Sequence, residues 1–373
     1  MKNFTAILFL SGFLIISISC SKSEQGGINL DQEILKEMDK QEIPSVVACI
    51  VKGDEIIWEG TYGYANIEES KPANRHSLYT IMSIGKLILS TAVYQLWENN
   101  AIDLNADINQ YLPFQVRNPK YPEQKITPYM LLNHFSSLAW PEDGQEPPDF
   151  HHFYSREDPP LIREWIPEYI LPDGKHYRSY VWKDFAPGEK FVYSNIGASL
   201  LALVVEGITG KDYRDYCQEN IFTPLEMINT GFRFNNLNVD NLVTPYDNHG
   251  RPISYYSERI YPAGFISCDL EDFSHFVIAM LNKGIYNGNR ILDITTFDQM
   301  VTLQDPASGT ANLWVHCLGD CIGHLGGGTG FSTWVEWHHD RERAFFLFSN
   351  RVNGAISSPG RIYELVKYQA YKY

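Results

Sequence analysis

Positive charge is in short supply in this chain. Its 373 residues carry 30 Lys and Arg against 45 Asp and Glu, a formal net charge of −15. So acidic a polypeptide has no electrostatic footprint for a phosphate backbone or an anionic lipid surface, which argues against nucleic acid as a partner. Long apolar runs are also missing. The only candidate, Ala6 to Ile16, is too short to span a bilayer as a mature helix. Neither Gly-x-Ser-x-Gly nor His-Glu-x-x-His occurs, so the nucleophile elbow of α/β-hydrolases and the metal helix of zincins lack their signatures. Internal repeats and low-complexity tracts are absent too. Cysteine is sparse, at six.

What is present begins with export. Lys2, the short apolar run and Ser17-Ile18-Ser19-Cys20 read as a signal peptide over residues 1–19. A cysteine directly after the apolar region resembles a bacterial lipobox, which implies lipidation of Cys20. An ordinary cleaved signal is the alternative. The expectation is an exported protein of the bacterial cell envelope, in the periplasm or on the outer membrane, touching the membrane only through its N-terminal anchor. Residues 20–29 read as a linker.

Five cysteines remain: Cys49, Cys217, Cys268, Cys317 and Cys321. Cys317 and Cys321 face one another if residues 318–320 form a three-residue hairpin loop, and point apart if the loop has two residues. His316, Cys317, Cys321 and His324 are also dense in metal ligands, but at a spacing unusual for zinc. A disulfide or two free thiols is expected, with no metal and no organic cofactor.

With 44% hydrophobic residues, the chain can bury one large core or two modest ones. Leu30, Ile34, Leu35 and Met38 mark an amphipathic helix; Val46–Val51 and Ile56–Gly60 read as strands joined at Gly53-Asp54. Ser83 to Glu98 is apolar on nearly every side, which predicts a central helix with Ser83 at its start. Thr127–Leu132, Ile196–Ile208, Asp212–Ile221 and Asp272–Leu281 read as further helices. Phe331–Trp337 alternates like a strand, Ala344–Phe348 is a buried strand, and Pro359 opens a last helix. Strands at both ends and helices between them predict an α/β lobe of residues 30–80 and 256–373, a mostly antiparallel sheet flanked by helices. A helical lobe, 81–255, is inserted in it. Residues 139–190, rich in proline and aromatic side chains, read equally as a pocket wall or lid and as a structural covering.

The chemistry starts at Ser83-Ile84-Gly85-Lys86. On a helix, residues three apart share a face, so the Lys86 amine lies beside the Ser83 hydroxyl. A serine needs an adjacent base, and a lysine serves once burial lowers its pKa. Ser-x-x-Lys alone is weak evidence, since Ser19 to Lys22 matches as well. Two more motifs give it force: Tyr193-Ser194-Asn195 just before an apolar helix, and His324-Leu325-Gly326-Gly327 before the alternating strand.

In their order, spacing and flanks these motifs resemble the serine β-lactamase and penicillin-binding protein superfamily, in particular its class C-like group, which also holds esterases and D-amino-acid peptidases. The resemblance covers most of residues 30–370. It implies Ser83 as nucleophile, Lys86 as its partner and Tyr193 as second element of the base. It further implies Asn195, His324 and Gly326 as substrate-binding residues, with the backbone N–H groups of Ser83 and Gly327 as oxyanion hole. A cationic Lys86 is expected to depress the Tyr193 phenol. His324 stands where many relatives have lysine, which weakens the hold on a carboxylate-bearing β-lactam. Ser137 stands where glycine is usual. His134 is expected to be a packed helix residue rather than a catalytic one, and His338-His339, at a strand end beside Asp340, a structural or surface pair. The implied activity is a serine hydrolase forming an acyl-enzyme on small-molecule or peptide esters or amides, D-amino-acid peptides and β-lactams among the candidates. The alternative is a penicillin-binding or wall-fragment sensor that is acylated without turning over.

Overall fold

A helix capped by its own flanking residue opens the described structure: the Asn29 side chain accepts from the Gln32 N–H and starts α1 (Leu30–Gln41). The protein is described here by a computed structural model covering residues 29–141, 153–317, 321–352, 356 and 360–372. The signal, Cys20 and the linker up to residue 28 lie outside the described residues, as do His151, His152 and Pro359. After α1 come β1 (Ser45–Lys52), β2 (Glu55–Asn66) and β3 (Lys71–Pro72). Helices follow: α2 (Gly85–Glu98), α3 (Pro128–Leu132), α4 (Ile162–Ile170), α5 (Asn195–Thr209), α6 (Tyr213–Cys217), α7 (Leu270–Leu281) and α8 (Ile294–Met300). The chain then returns to strands with β4 (Thr310–Ala311), β5 (Trp314–His316), β6 (Ile322–Gly328), β7 (Phe331–His338) and β8 (Arg343–Ser349), and ends in α9 (Arg361–Lys372).

These strands form one sheet in the order β4-β5-β6-β7-β8-β1-β2-β3, with every neighbouring pair antiparallel. The sheet is thus built from both ends of the chain, joined where β1 meets β8 with Val46 opposite Ser349. From Val46 to Val51 every residue of β1 is apolar and fully buried. That is the mark of a strand covered on both faces. Alternate residues then serve two cores. Val46, Ala48, Ile50, Phe345 and Leu347 pack with Ile34 and Met38 of α1 and Ile362, Leu365 and Val366 of α9. Val47, Cys49, Val51, Phe346 and Phe348 join the larger core on the other face, together with α2, α5 and α7.

One local expectation fails: Ser83 lies in a 3₁₀ turn, Met82–Ile84, and the regular helix begins only at Gly85. The expected helix from Asp212 to Ile221 is present with a change of pitch, as α6 to Cys217 continued by a π-helix, Gln218–Phe222. Between the two alternatives for the aromatic insertion, the described part is packed. Ile162, Trp165, Ile166, Tyr169 and Ile170 of α4 belong to the larger core, and the buried Trp182 indole donates to the Ile170 carbonyl at 2.9 Å. Residues 142–152 lie outside the described residues.

One buried acid pair should leave a trace in stability. Asp269 caps α7 and is fully buried; Asp272, 1% exposed, accepts from the Asn229 N–H and the Thr230 hydroxyl. Burial first and the Asp269 carboxylate second push Asp272 up to about 7. The folded state therefore holds a proton that the unfolded chain releases near pH 4, and stability is lost as pH rises from about 4 through about 7. Urea unfolding across that range should show a decline on the order of 2 kcal/mol that Asp272→Asn flattens. An unchanged slope in the variant would refute the assignment.

Candidate active site

The nucleophile turn is held in place by backbone and glycine contacts. Ile81 N–H donates to the Ile266 carbonyl at 2.9 Å, and Thr333 Oγ1 on β7 donates to the Ile81 carbonyl at 2.8 Å. Met82 takes φ +50, a conformation that a side chain adopts only under support. Gly326 on β6 allows the strand to press on this turn: a Cβ there would lie 2.6 Å from the Ile81 oxygen and 2.9 Å from Met82 Cβ. Gly264 does the same from the opposite segment, where a Cβ would stand 2.5 Å from the Met82 carbonyl and 2.9 Å from the Ser83 nitrogen.

Into this frame the structure brings the three residues of the expected centre. Lys86 Nζ is 3.1 Å from Ser83 Oγ, and the Tyr193 hydroxyl is 3.0 Å from the same oxygen. Lys86 is fully buried in α2 and donates to the Ala263 carbonyl at 2.6 Å. Tyr193 sits just before α5. Ser194 caps that helix, its side chain accepting from the Gly197 N–H, which fixes the direction of its neighbours on both sides.

The electrostatics reverse the sequence expectation. Burial pushes the Lys86 amine well below the usual lysine range, and no other cause contributes. Burial disfavours the ammonium form, and with it the cation that would depress the phenol. Tyr193 instead is pushed up to about 12 by burial, against the hydrogen bond with Ser83 that lowers it. Tyr193 is 38% exposed as a whole, but its hydroxyl is held against Ser83, and that end sets its acidity. Near neutral pH the amine is the better proton acceptor and the phenol keeps its proton.

The remaining expected residues surround this centre. His324 is 8% exposed, and burial lowers it to about 4, with any charge on Lys86 adding to the effect. It is therefore neutral at pH 7. Its Nδ1 lies 2.5 Å from the Leu325 carbonyl. Gly327 is exposed, and a Cβ there would meet nothing within 4 Å. β5 pairs only with Ile322 and Gly323 of β6, so the Gly326–Gly328 end has no ladder on that edge. Asn195, first residue of α5, has a buried Oδ1 without a hydrogen-bond partner among the described residues. A buried acceptor left unmatched costs free energy unless a ligand donor meets it. Ser137 takes φ +60, which explains why glycine suits that place, and its Oγ accepts from Asn118 Nδ2 at 3.0 Å. Of the two alternatives for His338, the structure shows the structural one: it is buried against Glu336.

Sequence reasoning missed three supports. The Ala263 carbonyl and Gly264 belong to the stretch Tyr261-Pro-Ala-Gly, whose only outward signal is a glycine after a proline turn. His134 is packed as expected, but it lies past the end of α3 with φ +62. Its ring centroid is 4.5 Å from that of Tyr193, and its Nδ1 accepts from the Ser194 N–H at 3.2 Å. It positions the Tyr193 segment.

The family model described as Beta-lactamase matches residues 30–367. Among curated proteins, "Protein flp" of Staphylococcus aureus (strain MRSA252) is 24% identical over 257 residues, covering 68% of this chain and 48% of its own length. The chain thus spans about half the length of the curated relatives it matches first. Among solved structures, a class C beta-lactamase superposes with a TM-score of 0.72 at 17% identity, over 92% of this chain and 94% of that one. The D-amino acid amidase from Ochrobactrum anthropi SV3, complexed with L-phenylalanine, gives a TM-score of 0.71 at 22% identity, over 92% and 98%. At these identities the two structures speak for a shared fold.

The close approach at Gly264 can be tested directly. Gly264→Ala forces a methyl group against Met82 and the Ser83 nitrogen. The labelling rate of Ser83 by a fluorophosphonate is expected to fall at least about tenfold while the far-UV circular dichroism stays unchanged. Labelling at the normal rate would mean that the turn adjusts freely.

Proposed function

The chain belongs to the beta-lactamase family, and from that premise we propose that it is a serine hydrolase forming an acyl-enzyme on Ser83 with ester or amide substrates. The observation that carries the reading is the Ser83 oxygen lying within 3.1 Å of a buried lysine amine, which has no ion pair among the described residues, and 3.0 Å of a protonated phenol. As Ser83 Oγ attacks the carbonyl carbon, its proton passes to Lys86. The backbone N–H groups of Ser83 and Gly327 receive the oxyanion. Tyr193 gives its proton to the departing oxygen or nitrogen, and Lys86 then returns to the Tyr193 oxygen the proton it took from Ser83, so that both groups regain their starting states. Water then follows the same route to release the acid. Asn195 offers its unmatched amide oxygen to a substrate N–H.

The neutral His324 bears on substrate choice. Without a cation at this place, a substrate carboxylate gains little, so neutral esters and amides, D-amino-acid amides among them, are favoured over β-lactams. The proposal includes export and a lipid anchor on Cys20, in which case Cys20→Ser moves the protein from the membrane fraction to the soluble one. Recovery of the variant in the membrane fraction would remove the anchor from the reading.

The activity test combines colour and mass on a chromogenic short-chain ester. Wild-type protein should turn over steadily, Ser83→Ala should fall to background, and Lys86→Met should lose about 10²–10⁴ in rate. Because the amine must be deprotonated to act, the rate should rise with pH along a limb well below the ordinary lysine range. A lasting mass increase on Ser83 without turnover would replace the hydrolase by the acylated sensor.

A further inference from the structure

Far from Ser83 in sequence, two thiols close the hairpin that leads into β6. The β5–β6 register runs Val315 opposite Gly323 and His316 opposite Ile322, and the Cys317 N–H donates to the Cys321 carbonyl at 3.0 Å. Cys317 and Cys321 are therefore the next opposed pair, as a three-residue loop requires; residues 318–320 themselves lie outside the described residues. Directly opposed residues on antiparallel strands have Cα atoms about 4.5–5.5 Å apart, inside the range of about 4.4–6.8 Å that a disulfide spans. The two sulfurs and a Glu336 carboxylate oxygen all lie within 4.8 Å of one another. Both cysteines are free thiols here.

We infer that Cys317 and Cys321 are a redox pair that closes to a disulfide across the mouth of this hairpin, by exchange with an external disulfide such as oxidised glutathione. Two thiols beside a carboxylate also suggest a metal site, but Glu336 is already committed. Its Oε1 accepts from the Tyr363 hydroxyl at 2.7 Å and from the Trp334 indole at 3.0 Å. Its Oε2 accepts from Lys367 at 3.2 Å and lies 3.1 Å from His338 Nε2. With four partners on two oxygens, that carboxylate has little left to offer a cation, and two thiolates alone fall short of the usual four ligands of zinc. No other described cysteine competes, since Cys49, Cys217 and Cys268 are all fully buried.

The chemistry balances as two exchanges. A thiolate of the pair attacks the external disulfide, forms a mixed disulfide and expels one glutathione thiolate. The second thiolate of the pair then attacks the mixed disulfide, making the Cys317–Cys321 bond and releasing the other glutathione. The two cysteine protons pass to the released thiolates. The hydrogen bond between the thiols lowers Cys321 below the usual cysteine range and raises Cys317, so the first proton leaves a shared site. Closing the bond staples the start of β6, the strand that carries His324 and Gly326.

The test uses the full chain and does not depend on its activity. Samples equilibrated with oxidised or reduced glutathione are quenched with N-ethylmaleimide and peptide-mapped, and amide exchange is followed over residues 322–325. After oxidation, the peptides holding Cys317 and Cys321 should be linked to each other, lighter by two hydrogens and free of label. After reduction both should carry label, and exchange at 322–325 should be at least about threefold faster. In Cys317→Ser, exchange should not respond to the glutathione state. Label on both cysteines of the oxidised wild type would overturn the inference, and so would protection that follows bound zinc and vanishes with a chelator. Redox-dependent exchange persisting in Cys317→Ser would overturn the staple.

Discussion

A charged ammonium cannot be buried cheaply without a partner, and the centre of this protein is organised around that constraint. Lys86 projects from a helix buried from Gly85 through Leu96, and its amine meets the Ala263 carbonyl and the Ser83 hydroxyl and lies over the Tyr193 ring. An amine so placed lowers its free energy by losing its proton. The same apolar packing that makes α2 central therefore also sets the protonation state of the base. Core and catalyst are one arrangement.

Around the amine, precision comes from absent side chains. Gly264 and Gly326 bring two segments, remote in sequence, against the Met82–Ile84 turn at distances no Cβ would tolerate. The positive φ of Met82 is held between them. On the phenol side the device is different: His134 lies against Tyr193 and accepts from the Ser194 backbone, so a ring and a cap together aim one hydroxyl. Backbone closeness positions the serine, and side-chain packing positions the tyrosine.

Much of this was legible in the sequence wherever the signal was local. Ser83 with Lys86, Tyr193 with Asn195, and His324 with Gly326 each fall within four residues, and the apolar character of 84–97 marked the central helix. The antiparallel sheet built from both ends was legible for the same reason, since β1, β7 and β8 each carry their own pattern. What escaped depends on distant contacts. The Ala263 carbonyl reaches Lys86 across 177 positions, and no periodicity encodes that. The phenol was misjudged because neighbouring charges can be guessed from a motif, whereas the degree of burial cannot. The 3₁₀ entry at Ser83 was missed because an i, i+3 spacing fits both helix types.

The junction of β1 with β8 bears on how the molecule is made. Val46 to Lys52 find their partners at Ser349 to Arg343, about three hundred positions along the chain. A ribosome releasing the polypeptide in order leaves β1 with one sheet neighbour, β2, until β8 has emerged. The larger core, which holds α2 and so encloses Lys86, draws on Phe346 and Phe348 of that last strand. Assembly of the reactive centre thus waits for a strand about three hundred residues beyond β1 and is an event of high contact order. A nascent chain halted before β8 would carry the serine and the lysine, but not the dry surroundings that make them a pair.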